Sequence, residues 1–249
     1  MAASLARLAL IPAGLIAAGI GYFFIHLDAG PYTGLVSAAF IVLLALPSYA
    51  ALIRWLSSFR ALGILFVLSV LAITVEALAI VTGFPFGEFS YSGDLGYRVF
   101  GLVPWTVAFA YRPMLLGSIA VASHIAGTAP ARFIVASGLV LVLVDLVVDP
   151  ALVHAGMWVW PGGGLYYGIP ATNFLGWFIT GSIYAGIFYA AARQELSVGL
   201  QVPIAVAASL LLILGLWTGY LFWAGLSIPA ATGVLLFAAI GGLVLPRGK

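Results

Sequence analysis

The chain has 249 residues, of which 64% are hydrophobic and only 6% are charged, and its net charge is +2. Apolar runs of about 20 residues, the length that crosses a bilayer core, recur throughout, so the composition excludes a soluble domain and predicts a polytopic membrane protein surrounded by lipid. The absence of cysteine excludes disulfides, thiolate metal sites and cysteine nucleophiles. The few basic residues are scattered, which gives no reason to expect a nucleic-acid partner.

The hydrophobic runs predict an all-α bundle of about eight transmembrane helices in a single integral membrane domain, residues 1–249. In chain order we expect these helices at about residues 5–26, 33–54, 61–82, 103–125, 131–149, 172–193, 201–224 and 229–246. Glycine and proline mark the breaks, as at Gly30-Pro31. We interpret the first run, after Arg7, as a span rather than a signal peptide, because it lacks a clear small-residue cleavage site.

The distribution of basic residues predicts the orientation. With eight spans, one side of the membrane carries Arg7, Arg54, Arg60, Arg132, Arg193, Arg247 and Lys249. The other side carries Arg98, and Arg112 lies inside the fourth helix. An excess of Lys and Arg marks the cytoplasmic side, so we expect a protein of the cell membrane with both termini in the cytoplasm.

Carboxylates show the opposite distribution. Six of the seven lie at the other end of the bundle: Asp28, Glu76, Glu88, Asp94, Asp145 and Asp149. A rise of about 1.5 Å per residue places Glu76 and Asp145 roughly 21–22 Å from the cytoplasmic ends of their helices. Asp149 lies four residues after Asp145, on the same helix face. Charges at membrane depth are costly, so this layer predicts a functional site.

Arg112 is expected in the same layer, about 12–14 Å below the outer end of its helix. One interpretation is an intramembrane salt bridge, for instance between Arg112 and Asp145, that locks two helices together. The other is acid–base chemistry: several poorly solvated carboxyl groups cannot all ionise, so one of them should hold a proton near neutral pH. The residues alone leave both interpretations open.

Aromatic residues concentrate in the two outer connecting segments, 84–105 and 150–177. An aromatic belt at the membrane interface is one explanation. Belts usually decorate both interfaces, however, and here one side is strongly favoured, so we expect these segments to fold back onto the bundle as a lid. The histidines His26, His124 and His154 are far apart along the chain, and we predict no metal site.

Several ordered motifs over about residues 70–180 resemble one family. They are Glu76-Ala-Leu-Ala-Ile-Val-Thr-Gly-Phe-Pro-Phe-Gly-Glu-Phe-Ser-Tyr91, Leu95-Gly96, Gly101, Pro104, Asp145, Asp149-Pro150, Trp158-Val-Trp160, Tyr167-Gly-Ile-Pro-Ala-Thr-Asn173 and Gly176-Trp177. Together they are similar to the membrane hydratases of carotenoid biosynthesis, which act on gamma-carotene and in the bacterioruberin pathway. The resemblance implies that water adds to the terminal carbon 1–carbon 2 double bond of a carotenoid ψ end and gives a tertiary alcohol.

That chemistry requires a proton donor, a cation-stabilising pocket and a positioned water, but no cofactor or metal. From chemistry and position we expect the catalytic residues to be Glu76, Asp145, Asp149 and Arg112. We slightly favour Arg112 as the partner of Asp145, Glu76 as the acid, and Asp149 as the group that orients water. The expected substrate-binding residues are Phe86, Tyr91, Trp105, Trp158, Trp160, Tyr167, Asn173 and Trp177.

Three other functions stay open at this point. A carotenoid cyclase or isomerase would use the same protonation and exclude water. A transporter of a small solute or proton would also place charges at membrane depth, although no polar path crosses the cytoplasmic half and the two halves of the chain show no repeat. A non-catalytic scaffold for pigment enzymes is the third. Beyond the polyene substrate, association with other membrane enzymes of a pigment pathway is left open.

Overall fold

The computed structural model of the protein describes residues 9–91 and 96–244. Arg7, Asp94, Leu95, Arg247 and Lys249, which entered the arguments above, lie outside these ranges. The long helices within them are α1 (Leu10–Ile25), α2 (Thr33–Trp55), α3 (Ser58–Thr82), α4 (Val107–Ile125), α5 (Pro130–His154), α6 (Ala171–Ala191), α7 (Ala208–Trp223) and α8 (Ser227–Val244). A single helical turn, Arg193–Leu196, follows α6, and 3-10 turns at Gly30–Tyr32 and Ile204–Ala207 precede α2 and α7.

The protein is an all-α integral membrane protein. Within the described ranges, six segments are long and apolar enough to cross a bilayer: Gly30–Trp55, Ser58–Thr82, Pro130–His154, Ala171–Ala191, Ile204–Trp223 and Ser227–Val244. The part of α1 from Leu10 to Phe23 is apolar but shorter, and α4 carries Arg112 in its second turn. The total of eight spans and the side of the termini therefore remain predictions.

Two predicted helix bounds are wrong in an informative way. The fourth helix begins at Val107 rather than 103, because Val103–Pro104 pairs as a strand with Arg98–Val99. The fifth helix runs through Pro150 to His154 instead of ending at 149. A proline inside a helix leaves the carbonyl four residues earlier without its donor. Here the Tyr166 hydroxyl donates to that carbonyl, on Leu146, at 2.9 Å.

Helices α4 and α7 form the centre of the bundle. Every residue of α4 from Tyr111 to Ser123 is buried, as is nearly all of α7. Small residues allow α1 to pack closely on α7: a Cβ added at Gly215 or Gly219 would lie 2.3 or 1.9 Å from a backbone oxygen of α1. Such close approach at small residues is typical of membrane helix pairs. The helices that carry the predicted charges therefore include the buried central helix α4, which carries Arg112.

The two outer connecting segments do fold back onto the bundle, as predicted. Strand β1 (Ser90–Tyr91) pairs antiparallel with β4 (Trp158–Val159), with Tyr91 opposite Trp158. The two short strands between them, β2 (Arg98–Val99) and β3 (Val103–Pro104), form a separate hairpin. Helix α3 ends at Gly83, whose left-handed backbone (φ 76°) turns the chain into this layer. The β1–β4 ribbon thus brings one aromatic segment against the other.

Candidate active site

Two aspartates of α5 are held by one amide of α6. Asp145 and Asp149 are each 1% exposed, one helical turn apart on the same face. The Asn173 Nδ2 donates to Asp145 Oδ2 at 3.0 Å and to Asp149 Oδ2 at 2.6 Å. Asn173 occupies the first turn of α6, where its backbone N–H bonds to Pro170. The start of α6 therefore fixes the orientation of both carboxyl groups.

The third carboxyl group comes from α3. Glu76 is half-buried in the last two turns of α3, and its Oε2 accepts a hydrogen bond from the Tyr91 hydroxyl at 3.0 Å. Tyr91 is held in place by the β1–β4 ribbon and by Arg98, whose Nη2 donates to the Tyr91 carbonyl at 3.0 Å. Burial, together with the nearby carboxyl of Glu76, raises the pKa of Tyr91 well above its usual range. The phenol therefore stays protonated and donates to Glu76.

These groups surround one small cavity. Its lining consists of two carboxyl residues, one amide and six aromatic rings: Glu76, Asp149, Asn173, Phe86, Phe89, Tyr91, Trp158, Trp160 and Trp177. The cavity volume is about 20 Å³, which is room for about one water molecule. We refer to it below as the carboxyl cavity.

The aromatic rings pack against one another as a wall, some edge to face and others tilted. Phe89 touches Tyr91 and Trp160, with ring centroids 5.6 and 5.8 Å apart. Phe86 lies 6.2 Å from Trp177. The Trp160 Nε1 donates to the Phe86 carbonyl at 3.0 Å, which ties the two connecting segments together. The wall supplies most of the apolar lining of the cavity.

A glycine makes this wall possible. A Cβ on Gly176 would lie 2.6 Å from the Phe86 ring and 2.7 Å from the Pro85 carbonyl oxygen. Only a residue without a side chain lets the connecting segment approach α6 this closely. Gly176 is one turn along α6 from Asn173. The same contact therefore places the aromatic segment close to the amide that binds the two aspartates.

No basic side chain neutralises the three carboxyl groups within residues 9–91 and 96–244. Across these residues the ion pair formed is Arg60–Glu195, at the other end of the bundle. Asp145 Oδ1 and Asp149 Oδ1 are buried and accept no hydrogen bond from a donor group in the described part of the chain, and the two carboxyl groups lie within hydrogen-bonding reach of each other. Trp158 also lines the cavity, and its Nε1 is buried without a hydrogen-bond acceptor among the described residues. Unsatisfied acceptor and donor atoms are therefore buried next to the cavity.

The predicted pair of Arg112 with Asp145 is not formed. The Arg112 Nη1 donates to the Leu65 carbonyl at 2.9 Å, and its Nε donates to the Ala108 carbonyl. Its guanidinium carbon lies 4.8 Å from the centroids of both Tyr49 and Phe109. Backbone carbonyls and ring faces are the partners that a buried arginine uses in place of a carboxylate. The charge of Arg112 is satisfied outside the carboxyl cavity, where it joins α3 to α4.

Other predicted site residues are divided between the cavity and its surroundings. Asp145 lies one hydrogen bond behind the lining, through Asn173. Trp105 packs edge to face on Phe109 at 5.5 Å, beside Arg112 rather than beside the carboxyls. Tyr167 packs edge to face on Tyr166 at 5.0 Å and does not line the cavity.

The sequence argument missed one lining residue, Phe89. It belongs to the motif that ends at Tyr91 and is buried to 8% exposure. Its position as an aromatic residue two places before Tyr91 in that motif was the available signal. In the described part of the chain, no group of three or more His, Cys, Asp or Glu residues is arranged to hold a metal ion.

Comparison with known proteins shows the family of the chain. Residues 31–240 match the model of a family described as carotenoid biosynthesis protein. The chain therefore belongs to the carotenoid biosynthesis protein family. It is 32% identical to a bisanhydrobacterioruberin hydratase of Haloarcula japonica over 117 residues, which are 46% of this chain and 40% of that relative. No solved structure matches the chain.

Proposed function

We propose that the protein is a carotenoid hydratase that adds water to the terminal carbon 1–carbon 2 double bond of a ψ end group without a cofactor. The observation that carries the proposal is the carboxyl cavity, where Glu76 and Asp149 meet a wall of aromatic rings, with Asp145 one hydrogen bond behind. None of the three carboxyl groups has a basic partner among the described residues. The family and the hydratase name of a relative support it. Because the match spans less than half of each chain, the reaction itself is our proposal.

The first step is protonation of carbon 2 by the Glu76 carboxyl group. Three carboxyl groups at membrane depth without a basic partner cannot all be charged, so part of the group carries protons. Glu76 lines the cavity, and the Tyr91 hydroxyl fixes one of its oxygens. The other oxygen is then oriented to donate. The proton leaves Glu76 for carbon 2, the double-bond electron pair forms the new C–H bond, and positive charge develops at carbon 1.

The second step is the addition of water to carbon 1. Asp149 lines the cavity, and Asn173 occupies its Oδ2 while its Oδ1 has no partner among the described residues. That oxygen accepts a hydrogen bond from the attacking water and then its proton, which leaves a tertiary alcohol. Transfer of one proton from Asp149 back to Glu76 restores the starting state. The sum is substrate plus one water.

The aromatic wall stabilises the cation between these steps. Ring faces carry negative charge density and attract a cation by about 0.5–2 kcal/mol each, more when water is excluded. Six rings line the cavity. The volume of about 20 Å³ accommodates a single water. A cyclase would need to exclude that water from the same place, so the polar lining favours hydration.

We further propose that the protein spans the cell membrane eight times with both termini in the cytoplasm. The described part of the basic-residue pattern supports this. On one side, Arg54, Arg60 and Arg132 lie in the last or first turn of their helices and Arg193 lies just after α6, while Arg98 lies in the opposite connecting layer. Reporter fusions at the two ends of the chain test the orientation. A carboxyl-terminal reporter active outside the cytoplasm would contradict it.

The test of the proposed reaction is expression in a host that accumulates lycopene or a bacterioruberin precursor, followed by mass analysis of the pigments. We expect pigments that carry one or two added waters as tertiary alcohols, absent from the host with an empty vector. Cyclised pigment of unchanged mass would instead identify a cyclase. Unchanged pigment, with the protein correctly inserted, would contradict an enzymatic role on these substrates.

A further inference from the structure

A second, larger cavity opens beside the carboxyl cavity. It has a volume of about 150 Å³ and lies between the outer half of α2 and the facing sides of α4 and α7, with the end of α5 at its inner wall. Its lining is mainly aliphatic and aromatic, and its few polar residues, such as Thr33 and Thr106, lie at helix ends. We call it the apolar groove. Nothing in the acid–base chemistry above uses it.

The groove follows one face of α2 in a straight line. Residues Thr33, Val36, Phe40 and Leu44 line it at helical spacing, which corresponds to a length of about 16 Å along the helix axis. Just beyond Leu44, α2 is fastened to α7: the Ser48 N–H donates to the Ser209 Oγ at 3.0 Å. The groove is therefore a long, narrow slot that closes where these two helices join.

The groove and the carboxyl cavity share two walls. Tyr91 and Trp158 line both of them, and their rings pack edge to face with centroids 5.8 Å apart. The Tyr91 hydroxyl donates to Glu76 on the cavity side. A linear apolar molecule lying in the groove therefore meets this ring pair at the point where the carboxyl groups begin.

We propose that the apolar groove is the binding site for the extended polyene chain of the substrate, and that Tyr91 and Trp158 position its terminal double bond at the carboxyl cavity. The carboxyl cavity holds about one water and is too small for an isoprenoid end and its chain together. The adjoining groove supplies the length and the apolar lining that a conjugated chain requires. This inference rests on the proposed function for the identity of the reacting end, but the binding of the chain can be tested without any reaction.

The experiment measures binding of lycopene, an acyclic polyene, to the purified protein in lipid nanodiscs, from quenching of tryptophan fluorescence and the shift of the polyene absorption bands. Val36→Trp fills the groove from α2, and Ala110→Phe fills it from α4. The matched control is Leu35→Trp, because Leu35 is the neighbour of Val36 but is 69% exposed on the outer face of α2. Extra volume in a packed site weakens occupancy by at least about tenfold.

We expect both groove variants to lose lycopene affinity at least about tenfold while Leu35→Trp binds as the unmodified protein does. Wild-type affinity in both groove variants, or equal losses in Leu35→Trp, would overturn the groove assignment. A wild-type protein that binds lycopene no better than protein-free nanodiscs would overturn it as well and leave the groove to a lipid acyl chain. Groove-dependent binding without hydrated pigment would retain the groove and reject the proposed reaction.

Discussion

The two ends of the bundle treat their charges in opposite ways. At the basic end, Arg60 and Glu195 form a two-pronged ion pair with N–O distances of 2.6 and 3.0 Å, and the same guanidinium donates to the Ala191 carbonyl. At the other end, Glu76, Asp145 and Asp149 share hydrogen bonds from neutral donors, Tyr91 and Asn173, and no basic side chain among the described residues contacts them.

This comparison distinguishes two kinds of charged group. The Arg60–Glu195 pair joins two parts of the bundle, whereas the three carboxyl groups are available for proton transfer. A carboxylate held by arginine has its charge neutralised and its oxygens occupied, so it resists giving or taking a proton. Buried carboxyl groups held only by a phenol and an amide keep free oxygens and compete with one another for protons. Substitutions at the carboxyl end should therefore lower hydration far more than substitutions at the basic end.

The largest effect is expected from Glu76→Gln, which keeps the shape of the side chain and removes its acidic proton. General acid catalysis contributes about 10²–10⁴-fold, so hydration in a pigment-producing host should fall by at least that order while the protein still inserts. Glu88→Gln is the matched control, because Glu88 is an exposed carboxylate on the connecting segment that follows α3, and it should leave pigment yields unchanged. Near-normal turnover of both Glu76→Gln and Asp145→Asn would make the carboxyl cluster structural.

Asn173→Ala is expected to have the next largest effect. It removes the donor shared by Asp145 and Asp149 and leaves both Oδ2 atoms without it. Losing a buried hydrogen bond to a charged group costs about 1–3 kcal/mol, so hydration should fall about 10–100-fold. Leu175→Ala, on the lipid-facing side of the same helix, is the control. Equal hydration rates for the two variants at matched protein levels would show that the amide does not orient the acids.

Tyr166→Phe should lower stability more than activity. Its hydroxyl satisfies the Leu146 carbonyl that Pro150 leaves free, and burial raises the pKa of Tyr166 to about 12, so the donor persists at any physiological pH. An unsatisfied buried carbonyl costs about 1–3 kcal/mol, which a lowered unfolding temperature in detergent would register. Tyr167→Phe removes a neighbouring hydroxyl and is the comparison. A Tyr166→Phe protein as stable as Tyr167→Phe would mean that the carbonyl is satisfied in another way.

The smallest effect is expected at the basic end. Glu195→Gln should lower the free energy of unfolding by under about 1 kcal/mol, because the pair is partly exposed to water. The hydrogen bond from Arg60 lowers the pKa of Glu195. The contribution of the pair is therefore present above the usual carboxyl range and is lost as the pH falls through the lowered value. Hydration should be unchanged, and a large loss of hydration in this variant would contradict the separation of the two ends.

Sequence reasoning located the acids but not all of their partners. Depth along each helix follows from residue counts, and the i, i+4 spacing puts Asp145 and Asp149 on one face. The motif from Tyr167 to Asn173 also predicted that the amide of Asn173 lies in the pocket. These features are local, so the order of residues is sufficient to predict them.

The direction in which the Arg112 side chain leaves α4 could not be predicted, because it depends on the rotation of the helix about its axis. Adjacent residues on a helix differ in direction by about 100°. Tyr111 packs on Trp177, a cavity-lining residue, with ring centroids 5.1 Å apart, so its neighbour Arg112 points elsewhere, towards the Leu65 carbonyl. The apolar groove was also unpredictable, because its lining comes from several helices that are far apart in the sequence and not from any motif.

The most direct test of the central claim is hydration in isotopically labelled water. Membranes containing the protein and an acyclic ψ-end carotenoid would be incubated in heavy-oxygen water or in deuterated water, and the pigment product analysed by mass spectrometry. The account predicts one heavy oxygen per hydrated end in the tertiary hydroxyl group at carbon 1, and one solvent deuterium at carbon 2, both lost in Glu76→Gln. A hydroxyl group without solvent oxygen, or product formation unaffected by Glu76→Gln, would contradict it.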